Sequence, residues 1–220
     1  MGEVLHRLLQ DEGVEARPME IQSWTRENLS VQEEEEDQQF RFDMPGPELS
    51  REEWESCLDT IDSVAPSEGF LVASGSLPPG VPADFYGRVA ALAGDRGCRM
   101  ILDSSGEALK AGVERSIYLV KPNLRELGTL AERNEFSADY EREQMEAARD
   151  LVRERGPEAV VVSMGSAGAI LVTAETKEKI PTPTVPIRSR VGAGDSMVAG
   201  IVHGLQEGYE VRDEIETLVR

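Results

Sequence analysis

Ile117-Tyr118-Leu119-Val120-Lys121-Pro122-Asn123-Leu124-Arg125-Glu126-Leu127 holds a short apolar run, a polar break and the start of a helical stripe. The run is too short for a helix and reads as a buried strand, while Leu124, Leu127 and Ala131 recur with helical spacing. The same order returns along the chain. Phe70 to Ala73 is a strand ended by Ser74-Gly75-Ser76-Leu77-Pro78-Pro79-Gly80, and Phe85, Val89 and Leu92 then stripe a helix. Met100 to Leu102 is a strand ending in Asp103, and Ala159 to Val162 is one ending in Ser163-Met164-Gly165. Ala169 to Thr173 reads as a further strand. Met145, Ala148 and Val152 stripe one helix, and Val198, Ile201, Val202 and Leu205 stripe another that starts near Ala193. Alternating strands and helices predict an α/β fold with a mostly parallel sheet flanked by helices. Ligands in such sheets sit beyond the carboxyl ends of the strands. Ser76, Asp103, Asn123 and Ser163 stand at those ends.

Upstream the pattern differs. Val4, Leu8 and Leu9 have helical spacing, and Gly13 stops that run. Two alternating segments follow, with Leu29 and Val31 on one face of the first and Phe40, Phe42 and Met44 on one face of the second. Five consecutive acids, Glu33 to Asp37, connect them and read as a solvated hairpin tip. A hairpin with one apolar face must cover something, either as a lid or as a dimer contact. Pro45-Gly46-Pro47 then breaks the chain, and a helix begins near Arg51. The expected division is a helix in 1–15, a β lid or dimer clasp in 16–45 and an α/β core in 46–220.

Composition narrows the partners. The 220 residues carry 42 acids against 23 bases, a formal charge of −19. Such a surface repels nucleic acid and anionic lipid, so neither a nucleic-acid nor a membrane partner is expected. The acidity suits either an ordinary acidic cytoplasmic enzyme or a protein working in high salt, where self-repulsion is screened. Two cysteines, Cys57 and Cys98, are too few for a disulfide framework, which points to a reducing, cytoplasmic setting. No apolar run approaches the roughly 18 residues of a membrane span, and the first residues lack a secretory pattern. There is no phosphate-binding loop of the G-x-x-x-x-G-K-[ST] type and no dinucleotide fingerprint. No side chains have metal-cage spacing. His6 and His203 read as packing or surface residues.

The strongest chemical feature is Val191-Gly192-Ala193-Gly194-Asp195-Ser196, directly before a helical stripe. Small residues let the backbone approach a ligand closely. A helix N-terminus presents unpaired amides and a partial positive charge, which suits phosphate. Asp195 falls in the first turn, where a carboxylate can take a proton from an attacking hydroxyl or simply favour the helix start.

The Val191–Ser196 segment resembles the second signature of the PfkB-type carbohydrate kinases, in the ribokinase-like superfamily. The likeness extends to Trp24-Thr25-Arg26-Glu27-Asn28-Leu29, to Ser74–Gly80, to Asp103–Leu109 and to Lys121-Pro122-Asn123. Within that family these clusters are most similar to the second, minor isozymes of bacterial 6-phosphofructokinase. The resemblance implies ATP and Mg2+ as cofactors, K+ as an additional cation, and transfer of a phosphoryl group to fructose 6-phosphate. Fructose 1-phosphate and tagatose 6-phosphate are the alternative substrates it implies. It implies Asp195 as the general base, with the amides of Gly192, Ala193 and Gly194 stabilising the moving phosphoryl group. Lys121, Asn123, Ser163, Gly165 and Gly168 fall on the nucleotide side, and Arg26, Ser76 and Asp103 on the sugar-phosphate side. Asn123 and Glu126 match a magnesium-organising N-x-x-E pattern, and Ser189 with the carbonyl of Val191 matches a monovalent-cation site. A homodimer built on residues 16–44 is implied as well.

The sequence departs from the family in three places. The opening βα units of the family, with their aspartate and G-G-x-x-x-N loop, are expected to be absent, as are the helices that follow the catalytic one. The chain is therefore expected to be truncated at both ends, and a non-catalytic remnant that binds nucleotide or pairs with an intact subunit is the rival reading. Arg190 also stands where the family usually has threonine.

Overall fold

The computed structural model describes residues 1–33, 38–133, 136, 140–182 and 191–209. They fall into two compact units, residues 1–61 with 77–82, and residues 62–76 with 83–220.

The first unit opens with α1 (Gly2–Asp11), a helix that buries none of its residues. Val4, Leu5 and Leu8 are each more than 40% exposed, so its apolar stripe has no cover within the unit. Strands β1 (Asn28–Glu33) and β2 (Gln38–Asp43) form an antiparallel ribbon in which Leu29 pairs with Phe42 and Val31 with Phe40. Cross-strand partners share a face, and all four of these side chains are exposed. The acidic tip, apart from Glu33, lies outside the described residues. At the ribbon's open end the Asn28 side-chain oxygen accepts the Met44 N–H at 3.1 Å. Helix α2 (Arg51–Val64) starts with a reciprocal cap, since Glu53 N–H donates to Ser50 Oγ and Ser50 N–H donates to Glu53 Oε2. The other carboxylate oxygen of Glu53 accepts the Gln22 N–H at 2.7 Å. Backbone donors favour the ionised form, so first the Gln22 and then the Ser50 amide hold the Glu53 carboxyl below its ordinary value.

The second unit carries a six-stranded sheet in the order β3 (Phe70–Ser74), β4 (Arg99–Asp103), β5 (Leu119–Val120), β6 (Ala159–Ser163), β7 (Ala169–Thr173), β8 (Lys177–Ile180). The first four strands run parallel, and β7 and β8 fold back antiparallel. The mostly parallel sheet expected from the alternation is present, with an antiparallel edge. Helices α3 (Phe85–Arg96), α4 (Gly106–Val113), α5 (Leu124–Leu130), α6 (Glu141–Glu154) and α7 (Ala193–Gln206) flank it.

Strand alternation splits the sheet's side chains between two layers. Ile101, Leu119, Ala159, Val161, Ala169 and Leu171 form one core with Val198, Ile201 and Leu205 of α7. Leu102 points the other way, against Gly112 of α4. The central strands are apolar along their middles, as burial on both faces requires, and their polar residues stand at the strand ends. Val160, Val161, Val162, Ile170, Leu171 and Val172 are all fully buried. Strands β3 and β8 lie at the two ends of this strand order, and Val72 of β3 is 40% exposed. Among the described residues no helix is long and apolar enough to cross a membrane.

Three elements depart from the expectation. Helix α4 was not foreseen between Asp103 and Ile117, because Gly106 and Gly112 interrupt its stripe. Strand β8 was missed because Lys177, Glu178 and Lys179 give it no apolar alternation. The strand expected over 117–120 shortens to Leu119–Val120.

Candidate active site

The carboxyl ends of β3, β4, β5 and β6 bring the predicted polar residues to one end of the sheet. Ser74 pairs with Asp103 across β3 and β4, and Asn123 bridges to Ser163 just past β5 and β6. Ser163 N–H donates to the Pro122 carbonyl at 2.9 Å, which fixes that bridge.

Lys121 is buried immediately after β5, and its Nζ lies 3.1 Å from Asp103 Oδ2. A buried ammonium is costly unless paired, and Asp103 supplies the partner. The same Nζ would stand 3.5 Å from a Cβ placed on Gly194, so the cation lies against the first turn of α7. That helix begins at Gly192, whose φ of 79° suits glycine and which has no side chain to cap it, and among the described residues none caps it in its place. An uncapped N-terminus leaves its first amides without helical acceptors and carries partial positive charge. Asp195 follows in the first turn and is exposed. It lines a cleft of about 440 Å3 with Ser74, Val72, Val198, Val202 and His203.

Asn123 and Glu126 form a capping box at the start of α5. Glu126 N–H donates to Asn123 Oδ1 at 2.9 Å, and Asn123 N–H donates to Glu126 Oε2 at 2.8 Å. One oxygen of Glu126 is therefore engaged in holding the helix start. Burial pushes the Glu126 carboxyl above its ordinary value; the Asn123 amide and the Lys121 charge oppose the rise, and Asp103 adds to it. Glu126 thus shares a field with the Asp103–Lys121 pair.

The segment 163–168 is the turn between the antiparallel strands β6 and β7, with a 3-10 turn at Gly165–Ala167. A Cβ at Gly168 would run into the Ile180 carbonyl, so this glycine permits β8 to close on β7. Gly165 has open space around it. Ser76 is exposed one residue past Gly75. Arg26 belongs to the other unit, where its Nε donates to the Met44 carbonyl at 2.7 Å. Val191 is exposed just before α7, and Ser189 and Arg190 lie outside the described residues.

Two buried hydroxyls at this end escaped the sequence reading. Tyr86 Oη and Ser104 Oγ each donate to the carbonyl of Gly75, both at 2.8 Å. Long-range pairs of this kind leave no periodic signal.

A profile of the pfkB family carbohydrate kinases matches residues 1–217, and the chain belongs to that family. Among its relatives, ATP-dependent 6-phosphofructokinase isozyme 2 of Mycobacterium tuberculosis is 41% identical over 210 residues, covering 96% of this chain and 61% of that protein. The isozyme 2 enzyme of Escherichia coli is 39% identical over 215 residues, covering 97% and 68%. A 1-phosphofructokinase of Rhodobacter capsulatus is 38% identical over 191 residues, covering 86% and 59%. The structure of the tetrameric inhibited form of Escherichia coli phosphofructokinase-2 superposes with a TM-score of 0.88 at 39% identity, over 97% of this chain and 69% of that one. The chain thus spans about three fifths of the length of the mycobacterial relative.

Proposed function

We propose that this chain carries the phosphoryl-transfer machinery of an ATP-dependent sugar-phosphate kinase that converts fructose 6-phosphate to fructose 1,6-bisphosphate. The observation that carries the reading is the Lys121 ammonium set against Gly194, at the uncapped start of a helix whose first turn holds Asp195. Phosphoryl transfer is mainly a matter of positioning and electrostatic stabilisation. In this reading the Asp195 carboxylate takes the proton of the sugar hydroxyl as its oxygen bonds to the terminal phosphorus of ATP, and the bond to the ADP oxygen breaks. The amides of Gly192, Ala193 and Gly194 hold the negative oxygens of the group in transit. Lys121 adds a fixed positive charge, oriented by Asp103.

The residues present fit Mg2+. Among the described residues no three His, Cys, Asp or Glu side chains converge on one point. Mg2+ is commonly held through water and phosphate oxygens with only one or two carboxylates. Glu126, with one oxygen in the capping box, is the carboxylate assigned to it, with Asn123 beside it. When bound, the ion neutralises charge on the phosphates. Ser163, Gly165 and Gly168 are assigned to the nucleotide side, and Arg26, Ser76 and Asp103 to the sugar phosphate. A potassium site at Ser189 and the Val191 carbonyl is supported by a potassium complex of the Escherichia coli relative, which is 39% identical. A fructose 6-phosphate complex of that relative, at 38% identity, favours the substrate.

A second reading keeps this mechanism and changes the sugar, to fructose 1-phosphate or tagatose 6-phosphate. The 38% identity to the Rhodobacter 1-phosphofructokinase favours the first of these. A non-catalytic, nucleotide-binding role is the remaining rival. ATP consumption by the purified chain with Mg2+ and each sugar phosphate in turn separates the three. Turnover that is highest with fructose 6-phosphate is expected; a folded chain that binds ATP without turnover on any sugar would favour the rival.

The exposed face of Leu29, Val31, Phe40 and Phe42 suits a homodimer built on residues 16–44. Phe42→Asp is expected to give monomers. An unchanged sedimentation coefficient would count against the dimer.

A further inference from the structure

The Gly75 carbonyl has two lone pairs for acceptance, and both are addressed by buried hydroxyls. Tyr86 Oη and Ser104 Oγ reach it at 2.8 Å each, from α3 and from the residue after β4. Tyr86 is 7% and Ser104 5% exposed, so neither donor is readily replaced by water. The Gly75 N–H is held as well, donating to the Asp103 carbonyl at 2.9 Å. Gly75 itself has a φ of 109°, open to glycine and strained for other residues. A backbone in that region persists only when its surroundings determine it.

We infer that Tyr86 and Ser104 are positioning residues for the sugar-phosphate side of the site, acting through the Gly75–Ser76 peptide. This inference rests on the kinase reading above, in which Ser76 meets the sugar phosphate. The peptide is planar and trans, so fixing its carbonyl toward the two buried hydroxyls turns its N–H the opposite way. The amide of Ser76, and with it the start of the Ser76 side chain, is presented in one direction. In this role Tyr86 and Ser104 act through the Gly75 carbonyl rather than on the substrate itself. Their role is to spare the chain the loss of freedom that ordering this turn on binding would otherwise require.

The test uses the whole chain with fructose 6-phosphate and ATP as separate probes, read by titration calorimetry, with melting temperature alongside. Tyr86→Phe and Ser104→Ala each remove the hydroxyl that reaches the Gly75 carbonyl and keep the remaining bulk of the side chain. The expected result is a loss of fructose 6-phosphate affinity of about fivefold per variant, as for one hydrogen bond. The double variant loses more, and ATP affinity stays within twofold of the parent by about the same standard. A purely structural role would lower the melting temperature and either leave both affinities alone or weaken them together, and either pattern overturns the inference. Should Ser104→Ala fail to fold, Tyr86→Phe alone carries the test. A parent chain that binds ATP but no sugar phosphate would overturn the substrate reading and this inference with it. A binding parent with unaffected variants would overturn this inference only.

Discussion

Two helix starts at the same end of the sheet are built in opposite ways. At α5 the polar groups satisfy each other, because Asn123 and Glu126 exchange side-chain and backbone hydrogen bonds across the first turn. At α7 the residue at the cap is a glycine, which offers no side chain, none of the other described residues caps the helix, and the acidic residue of the first turn is exposed. Both starts carry the same partial charge, yet only one is closed. A capped start is a joint whose main product is stability. An uncapped start beside a buried lysine is the place that the kinase reading gives to a phosphate. In that reading structure falls chiefly to Asn123 and chemistry chiefly to Asp195.

The largest expected effect tests the open start. Asp195→Asn keeps the size of the side chain and removes its ability to take a proton. Turnover of ATP with the sugar phosphate is expected to fall by about 10²–10⁴-fold. The urea midpoint should hold, since the side chain is exposed and caps nothing. A large drop in stability with intact turnover would reverse the comparison.

The closed start is probed by Asn123→Ala. Loss of an asparagine cap costs about 1 kcal/mol, read as a lower urea midpoint at unchanged slope. Turnover should fall only as far as Glu126 loses its place. If instead stability holds and only the Mg2+ dependence changes, Asn123 belongs with the site rather than with the joint.

How far these roles were legible depends on what each residue does locally. The apolar runs of β4, β6 and β7 are buried on both faces and could be read directly from composition. Asn123-x-x-Glu126 has the spacing of a capping box, and the same four residues match the family's magnesium-organising pattern, so the sequence alone does not separate the two roles. The Asp103–Lys121 pair was not visible, because both residues sit at strand ends with no shared periodicity. Once the strand order sets β4 beside β5, the pair follows. Helix α4 hid behind two glycines, and the charged edge strand β8 has polar positions where an interior strand would be apolar. Tyr86 lies next to the stripe of Phe85, Val89 and Leu92, and nothing in the local pattern shows that its hydroxyl anchors Gly75.

The Glu126 carboxyl gives a smaller and more specific test. Burial raises its folded value above the ordinary 4.5. A raised folded value means the protonated form is favoured by folding, so the associated stability is present below the unfolded value. It is lost as pH rises through the folded one. Relative to Glu126→Gln, which stays neutral, the native chain should therefore lose urea stability between acid and neutral pH in the absence of Mg2+. Added Mg2+ should narrow the difference if Glu126 contributes to its site. A stability difference that grew in favour of the native chain with rising pH would show the Asn123 amide and Lys121 outweighing burial.

The smallest expected effect falls at Gly194, where the two requirements of the open start oppose each other. Alanine is the better helix former by about 0.5–1 kcal/mol, and the φ here is not in the left-handed region that would penalise it. The added methyl would stand 3.5 Å from Lys121 Nζ, an ordinary contact that needs no backbone shift. Gly194→Ala is therefore expected to raise the urea midpoint slightly. The methyl also occupies the approach between the lysine and the first amides of α7. ATP affinity should fall a few-fold, by about 1 kcal/mol or less if one charge-assisted contact is lengthened. A gain in stability together with a loss of ATP affinity is the signature of a turn kept open for a ligand at the expense of its helix. A gain in stability with ATP affinity unchanged would mean that the phosphates approach α7 from another side, and that Lys121 serves Asp103 more than it serves the nucleotide.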